Sequence, residues 1–97
     1  MSLIYLDKDD FIVAQNKLCI QHGGITLVLF TSKKWQNHYE FCKEYGTLPH
    51  RVKGINFGIC DLSDPAQLQI AQQSIKTQTQ ITDVPRFFLY VDGIPRV

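Results

Sequence analysis

Thr82-Asp83-Val84-Pro85-Arg86-Phe87-Phe88-Leu89-Tyr90-Val91-Asp92-Gly93 is the stretch that decides how this chain folds. Phe87 to Val91 is aromatic and β-branched, which predicts a strand. Val84-Pro85 in front of it is extended, because the residue before a proline avoids the helical region. Asp92-Gly93 behind it is a two-residue hairpin signal, so Ile94-Pro95-Arg96-Val97 begins a partner strand.

Upstream, Ser63-Asp64-Pro65 reads as a helix start with proline in the first turn. Leu68, Ala71 and Ile75 form its expected inner stripe, and Gln67, Gln69, Gln72, Gln73 and Gln78 make a neutral outer face. Ile70 falls off that stripe and is a candidate contact residue. Gly54 to Cys60 alternates apolar residues at 55, 57 and 59, a strand with one covered face. Ile25 to Thr31 is almost continuously apolar and predicts a central strand buried on both sides. Between these two strands, Trp35, Tyr39 and Cys42 recur at helical spacing, giving a helix over residues 35–45. Gly46 and Pro49 close that helix, and residues 47–53 form a polar loop. At the start, Leu3 to Leu6 is a short strand, and Asp7-Lys8-Asp9-Asp10 supplies helix caps. Phe11, Ala14 and Leu18 then predict an amphipathic helix ended by Gly23-Gly24. The order is βαβαβαββ, a three-layer α/β/α arrangement around a mixed central sheet.

Ninety-seven residues form one domain, 1–97. A hydrophobic share of 44% with 20% charged residues excludes a globally disordered chain. Ten Lys+Arg against nine Asp+Glu leave a net charge of +1, so no nucleic-acid partner is expected. The longest apolar run, Ile25 to Phe30, is far short of the roughly twenty residues of a membrane-spanning helix, and no membrane insertion is expected. Met1-Ser2-Leu3 carries no basic leader, so no signal peptide is expected. Cys19, Cys42 and Cys60 are odd in number, contain no CxxC and sit among apolar neighbours. They predict buried free thiols in an intracellular, reducing compartment such as the cytoplasm, or within a large assembly.

The element order with Val84-Pro85 ahead of the hairpin resembles the thioredoxin family. Leu27 to Ser32 looks like the strand that enters that family's active-site loop, and Ile59-Cys60-Asp61 looks like the next strand with its terminal acidic residue. The resemblance implies a cis Val84-Pro85 bond lying opposite the redox cysteines. Counting forward from Phe30, however, the family's CxxC falls on Trp35-Gln36-Asn37-His38, so both thiols are replaced. Disulfide exchange needs an ionised thiol and a second one to resolve the mixed disulfide. Cys42 lies one helical turn beyond. The helix between Asp61 and Pro85 looks longer than in small thioredoxins. The family also closes with a helix after the hairpin, so the domain reads as C-terminally incomplete, its terminal helix missing, unless a partner covers the exposed hairpin.

These residues predict a redox-inactive thioredoxin-like protein, an interaction or structural component of a larger assembly such as a multisubunit complex or a virion shell. Its expected partner is another protein, with no cofactor and no small-molecule substrate. Trp35, His38, Val84 and Pro85 are the candidate peptide groove, the backbone of Val84 acting as a strand-like partner. Phe87, Phe88, Leu89, Tyr90 and Ile70 are the candidate interface. The alternative is an atypical thiol oxidoreductase using Cys42 or Cys60. A glutathione-binding module, with the Ser32 hydroxyl at the helix entrance, is a further one. His38 and Cys42, four residues apart, could share a metal, but no third ligand is near them in sequence.

Overall fold

A computed structural model of the chain describes residues 3–96. Strand β1 (Ile4–Tyr5) leads into a 3-10 turn at Lys8–Asp10. There the Asp7 carboxylate accepts from the Asp9 N–H and the Asp10 carboxylate accepts from the Asp7 N–H, each at 2.9 Å. The aspartates therefore do cap, but they cap a single turn.

The helix expected from Phe11 up to Gly23-Gly24 is instead a hairpin of β2 (Phe11–Ala14) and β3 (Lys17–Ile20). Gln15 and Asn16 both take positive φ, 53° and 63°, which is the backbone of a two-residue hairpin turn. Apolar residues at 11, 14 and 18 fit a helix, yet 18 and 20 also alternate as a strand, and Ile12 and Val13 favour that state. Long-range bonds decide the outcome. The Leu18 N–H donates to Thr79 Oγ1 at 2.7 Å, and the Ile20 N–H donates to the Gly93 carbonyl at 2.9 Å.

β4 (Ile25–Thr31) follows, then α1 (His38–Tyr45) and the one-turn α2 (Leu48–Arg51), which occupies the expected loop. β5 (Asn56–Asp61) precedes a 3-10 turn at Pro65–Gln67, and the Asp64 carboxylate accepts from the Ala66 N–H at 3.0 Å. α3 (Leu68–Ser74) has only seven residues, so the helical part of 61–85 is short, contrary to expectation. The Val84-Pro85 bond is cis, and β6 (Arg86–Val91) and β7 (Ile94–Arg96) complete the hairpin as expected.

The main sheet runs β1-β5-β4-β6-β7, with β1, β5 and β4 parallel and β6 and β7 antiparallel. This is the expected mixed sheet with layers on both faces. One face packs under α1 and α2, through Leu29, Tyr45, Phe57 and Ile59. The other packs under the β2–β3 hairpin and α3, through Phe11, Leu18, Phe30, Ile70, Phe88 and Tyr90.

The expected inner stripe of α3 is turned outward. Leu68 and Ile75 are 52% and 55% exposed, while Ile70 and Ser74 are buried. The Ser74 hydroxyl accepts the Ile81 N–H at 3.0 Å, which orients that face inward. Ile70, Phe88 and Tyr90 are thus core residues and not the interface expected of them; of that set only Phe87 and Leu89 face solvent. The strand alternates, so no partner can reach both faces of β6.

Two outcomes test this packing. Ile70→Ala should cost about 2–5 kcal/mol in urea denaturation, whereas Leu68→Ala should stay within about 0.5 kcal/mol. Gly93, at φ 86°, faces the Ile20 carbonyl so closely that a Cβ would run into it. Gly93→Ala should therefore lower stability by about 1–3 kcal/mol.

Candidate functional site

β4 ends at Thr31, and the chain turns tightly into α1. The Trp35 N–H donates to the Ser32 carbonyl at 2.9 Å, and the Lys34 N–H to the Ser32 hydroxyl at 3.1 Å. Ser32 is thereby occupied in shaping the turn. α1 begins at His38, three residues later than the spacing predicts. Its inward residues are His38 and Tyr45, with Phe41 and Cys42 half-buried, while Tyr39 of the expected stripe is exposed.

The turn sets Trp35 edge-on against Phe41, with ring centroids 5.2 Å apart. Trp35, Asn37, Glu40, Phe41, Glu44 and Pro85 line a shallow groove of about 290 Å³. The expected pairing of Trp35 with Pro85 is present, and Val84 beside it is half-buried. His38 does not join them. It turns to an adjacent face of α1 and is buried, with Nδ1 2.9 Å from Thr31 Oγ1. At about 100° per residue, Asn37, Glu40, Phe41 and Glu44 share one face of α1 and line the groove, while His38 and Cys42 lie on the adjacent face and line a different cleft.

His38 belongs to a second cleft, of about 360 Å³, shared with Lys33, Tyr39, Cys42, Ile59 and Asp61. Thr31 and Asp61 meet because β4 and β5 are parallel and in register there. The sequence signal for this cleft was two apolar strands each ending on a polar residue, Phe30-Thr31 and Cys60-Asp61, since adjacent parallel strands present their carboxyl ends together. Asp61 Oδ1 accepts from the Ser63 hydroxyl at 2.6 Å and from the Ser63 N–H at 2.9 Å. Burial pushes the Asp61 carboxyl up, but the bonds from Ser63 and the nearby charges of His38 and Lys33 outweigh it and hold the carboxyl below its ordinary value.

Cys42 Sγ lies 3.8 Å from His38 Nδ1 and 4.0 Å from Nε2. Burial, and then the charge of Asp61, push the Cys42 thiol up. Cys60 is fully buried, and burial followed by Asp61 pushes its thiol up to about 12. Both shifts oppose the thiolate that exchange chemistry requires. Among the described residues no group of three or more His, Cys, Asp or Glu is placed to hold a metal. None of those residues forms a helix long and apolar enough to cross a membrane.

No family model and no curated protein matches this chain. Among solved structures it is similar to the short form of thioredoxin f from spinach chloroplast, with a TM-score of 0.71 over 99% of this chain and 78% of that one. The fold is thioredoxin-like. Identity across that match is 14%, so the likeness concerns the architecture alone. Within the thioredoxin-like frame, the groove beside the cis proline is lined by an indole, a phenyl ring and two glutamates, with no sulfur among its lining residues.

Cys42 should alkylate more slowly than a free cysteine at pH 7, and Cys60 only after denaturation. Asp61→Asn removes a charge that disfavours the thiolate, so it should speed Cys42 alkylation severalfold. The same carboxyl, held low in the folded state, adds stability above its unfolded pKa that is lost as pH falls through the folded value. The Asn variant should therefore show a flatter acid-side stability profile than the parent.

Proposed function

We propose that this chain is a non-catalytic thioredoxin-like protein, an interaction or structural component of a larger assembly whose partner is another protein. The observation that carries this reading is the composition of the surface around Pro85. Where a thiol would have to stand to attack a partner's disulfide, Trp35 presents an apolar surface beside Phe41, and His38 is turned into the neighbouring polar cleft, against Thr31. A half-buried tryptophan in a shallow groove is a binding feature, able to anchor a protein segment but unable to exchange electrons with it. The half-buried Val84 next to Pro85 suits an extended segment laid across the groove.

The contact between Cys42 and His38 favours one alternative, a thiol oxidoreductase working through Cys42 with His38 receiving its proton. The raised thiol of Cys42 and the carboxylate of Asp61 work against it.

Insulin reduction in the presence of a small dithiol separates the two readings. The chain is expected to leave the rate at the level of the dithiol alone, and Cys42→Ser to change nothing. An acceleration that disappears in Cys42→Ser would overturn the binding reading.

A further inference from the structure

The polar cleft between β1 and α1 lies at the opposite edge of the sheet from β7. Its floor is Ile59, which is buried, with Leu3 in the same core. Tyr5, opposite Ile59 in the parallel register, stands on one side, and His38, Tyr39 and Cys42 of α1 stand on the other. Asp61 at the carboxyl end of β5 and Lys33 just past that of β4 complete the lining. Open α/β sheets take their ligands outside the carboxyl ends of parallel strands. The volume, about 360 Å³, is that of a small-molecule site. The bond from His38 Nδ1 to Thr31 fixes the imidazole, so the α1 side is preformed.

The charged end of the cleft selects the ligand. Asp61 Oδ1 is taken by the Ser63 hydroxyl and N–H. Oδ2 meets the Lys33 ammonium at 3.9 Å, an ion contact too long for a hydrogen bond. Lys33 has no other carboxylate in range among the described residues. An acceptor and a donor of opposite charge therefore stand side by side with hydrogen-bonding capacity unused. An anion alone would bind Lys33 and face Asp61, and a cation alone would bind Asp61 and face Lys33. A molecule carrying an ammonium and a carboxylate on one carbon satisfies both. Beside that pair, Ile59, Leu3 and Cys42 offer apolar surface, and the rings of Tyr5 and Tyr39 border it. We propose that this cleft binds a free α-amino acid with an apolar side chain, its ammonium on Asp61 Oδ2, its carboxylate on Lys33 and its side chain over Ile59. The site goes beyond the reading of the chain as an interaction module and does not depend on it, since the cleft shares no lining residue with the groove at Pro85.

Amide NMR shifts of the whole chain, titrated with L-leucine, L-methionine and L-phenylalanine in turn, test it. At least one of the three should bind with a Kd of about 1 mM or tighter and shift the amides of Lys33, Tyr39 and Asp61. The methyl ester of the tightest binder keeps only the positive charge, and its N-acetyl form keeps only the negative one. Each should bind the parent chain about tenfold or more weaker than the free amino acid. In Lys33→Met the amino acid and its ester should bind alike, and in Asp61→Asn the amino acid and its N-acetyl form should bind alike, because each variant removes the group that told the pair apart. Lys33 is exposed, and circular dichroism checks the fold of both variants; if Asp61→Asn does not fold, Lys33→Met carries the test. No binding by any of the three amino acids overturns the proposal. So does an ester or N-acetyl form that binds the parent as tightly as the amino acid, a discrimination that survives Lys33→Met, or shifts that gather at Trp35 and Pro85 instead. None of these outcomes touches the interaction reading, which is decided by insulin reduction.

Discussion

β4 is hydrogen-bonded along both edges, to β5 in parallel register and to β6 in antiparallel register, and Val28, Leu29 and Phe30 at its centre are fully buried. Complete burial of each such side chain stabilises the fold by about 1.5–3 kcal/mol. Alternation along the strand then serves two layers at once. Val28 and Phe30 join the core under the β2–β3 hairpin and α3, and Leu29 joins the core under α1 and α2. The same strand delivers Thr31 to the sheet's carboxyl end beside Asp61, where α1 starts and His38 is tied down. The position of the candidate site is therefore a consequence of how β4 is paired.

The two faces of the sheet are closed unequally. Under the hairpin and α3, Phe30 contacts both Phe11 and Phe88, with centroids 5.7 and 5.8 Å apart, and the backbones of Ile20 and Gly93 are hydrogen-bonded. On the other side the cover, among the described residues, is α1 and the single turn of α2. Five strands at about 4.8 Å spacing span about 19 Å, while a helix with its side chains is about 10 Å wide. β6 and β7 are left with apolar residues facing outward, and Glu44 and Arg51 border them.

The electrostatics of the polar cleft run opposite to those of a thiol active site. A reactive cysteine is stabilised as a thiolate by cations or a helix start. Here Cys42 lies within α1, faces a carboxylate held ionised by Ser63, and is raised by burial. Lys33 approaches Asp61 only to 3.9 Å and is itself largely exposed, so it contributes little to reversing that field. The surface beside Pro85, by contrast, is aromatic and open, which is the chemistry of contact.

By itself the sequence determined the parts whose signals are local. The apolar run of β4, the Asp92-Gly93 turn, the proline-led start at Ser63-Asp64-Pro65 and the extended Val84-Pro85 are fixed by side-chain type and by φ restrictions within a few residues. It also placed Trp35 close to Pro85. Tertiary structure decided everything that depended on which face turns inward. Residues 11–20 fit either period, and hydrogen bonds donated by Leu18 and Ile20 to Thr79 and Gly93, more than sixty residues away, made them a hairpin. Leu68 and Ile75 are as apolar as Ile70, and the orientation of α3 that buries Ile70 goes with tertiary contacts, its packing in the core under the β2–β3 hairpin and the hydrogen bond between Ser74 and Ile81. His38 was expected in the groove, but it bonds Thr31 at the end of β4 and lies on the adjacent face of α1. Periodicity along a chain gives an element's spacing, whereas its orientation depends on contacts between residues that only the fold brings together.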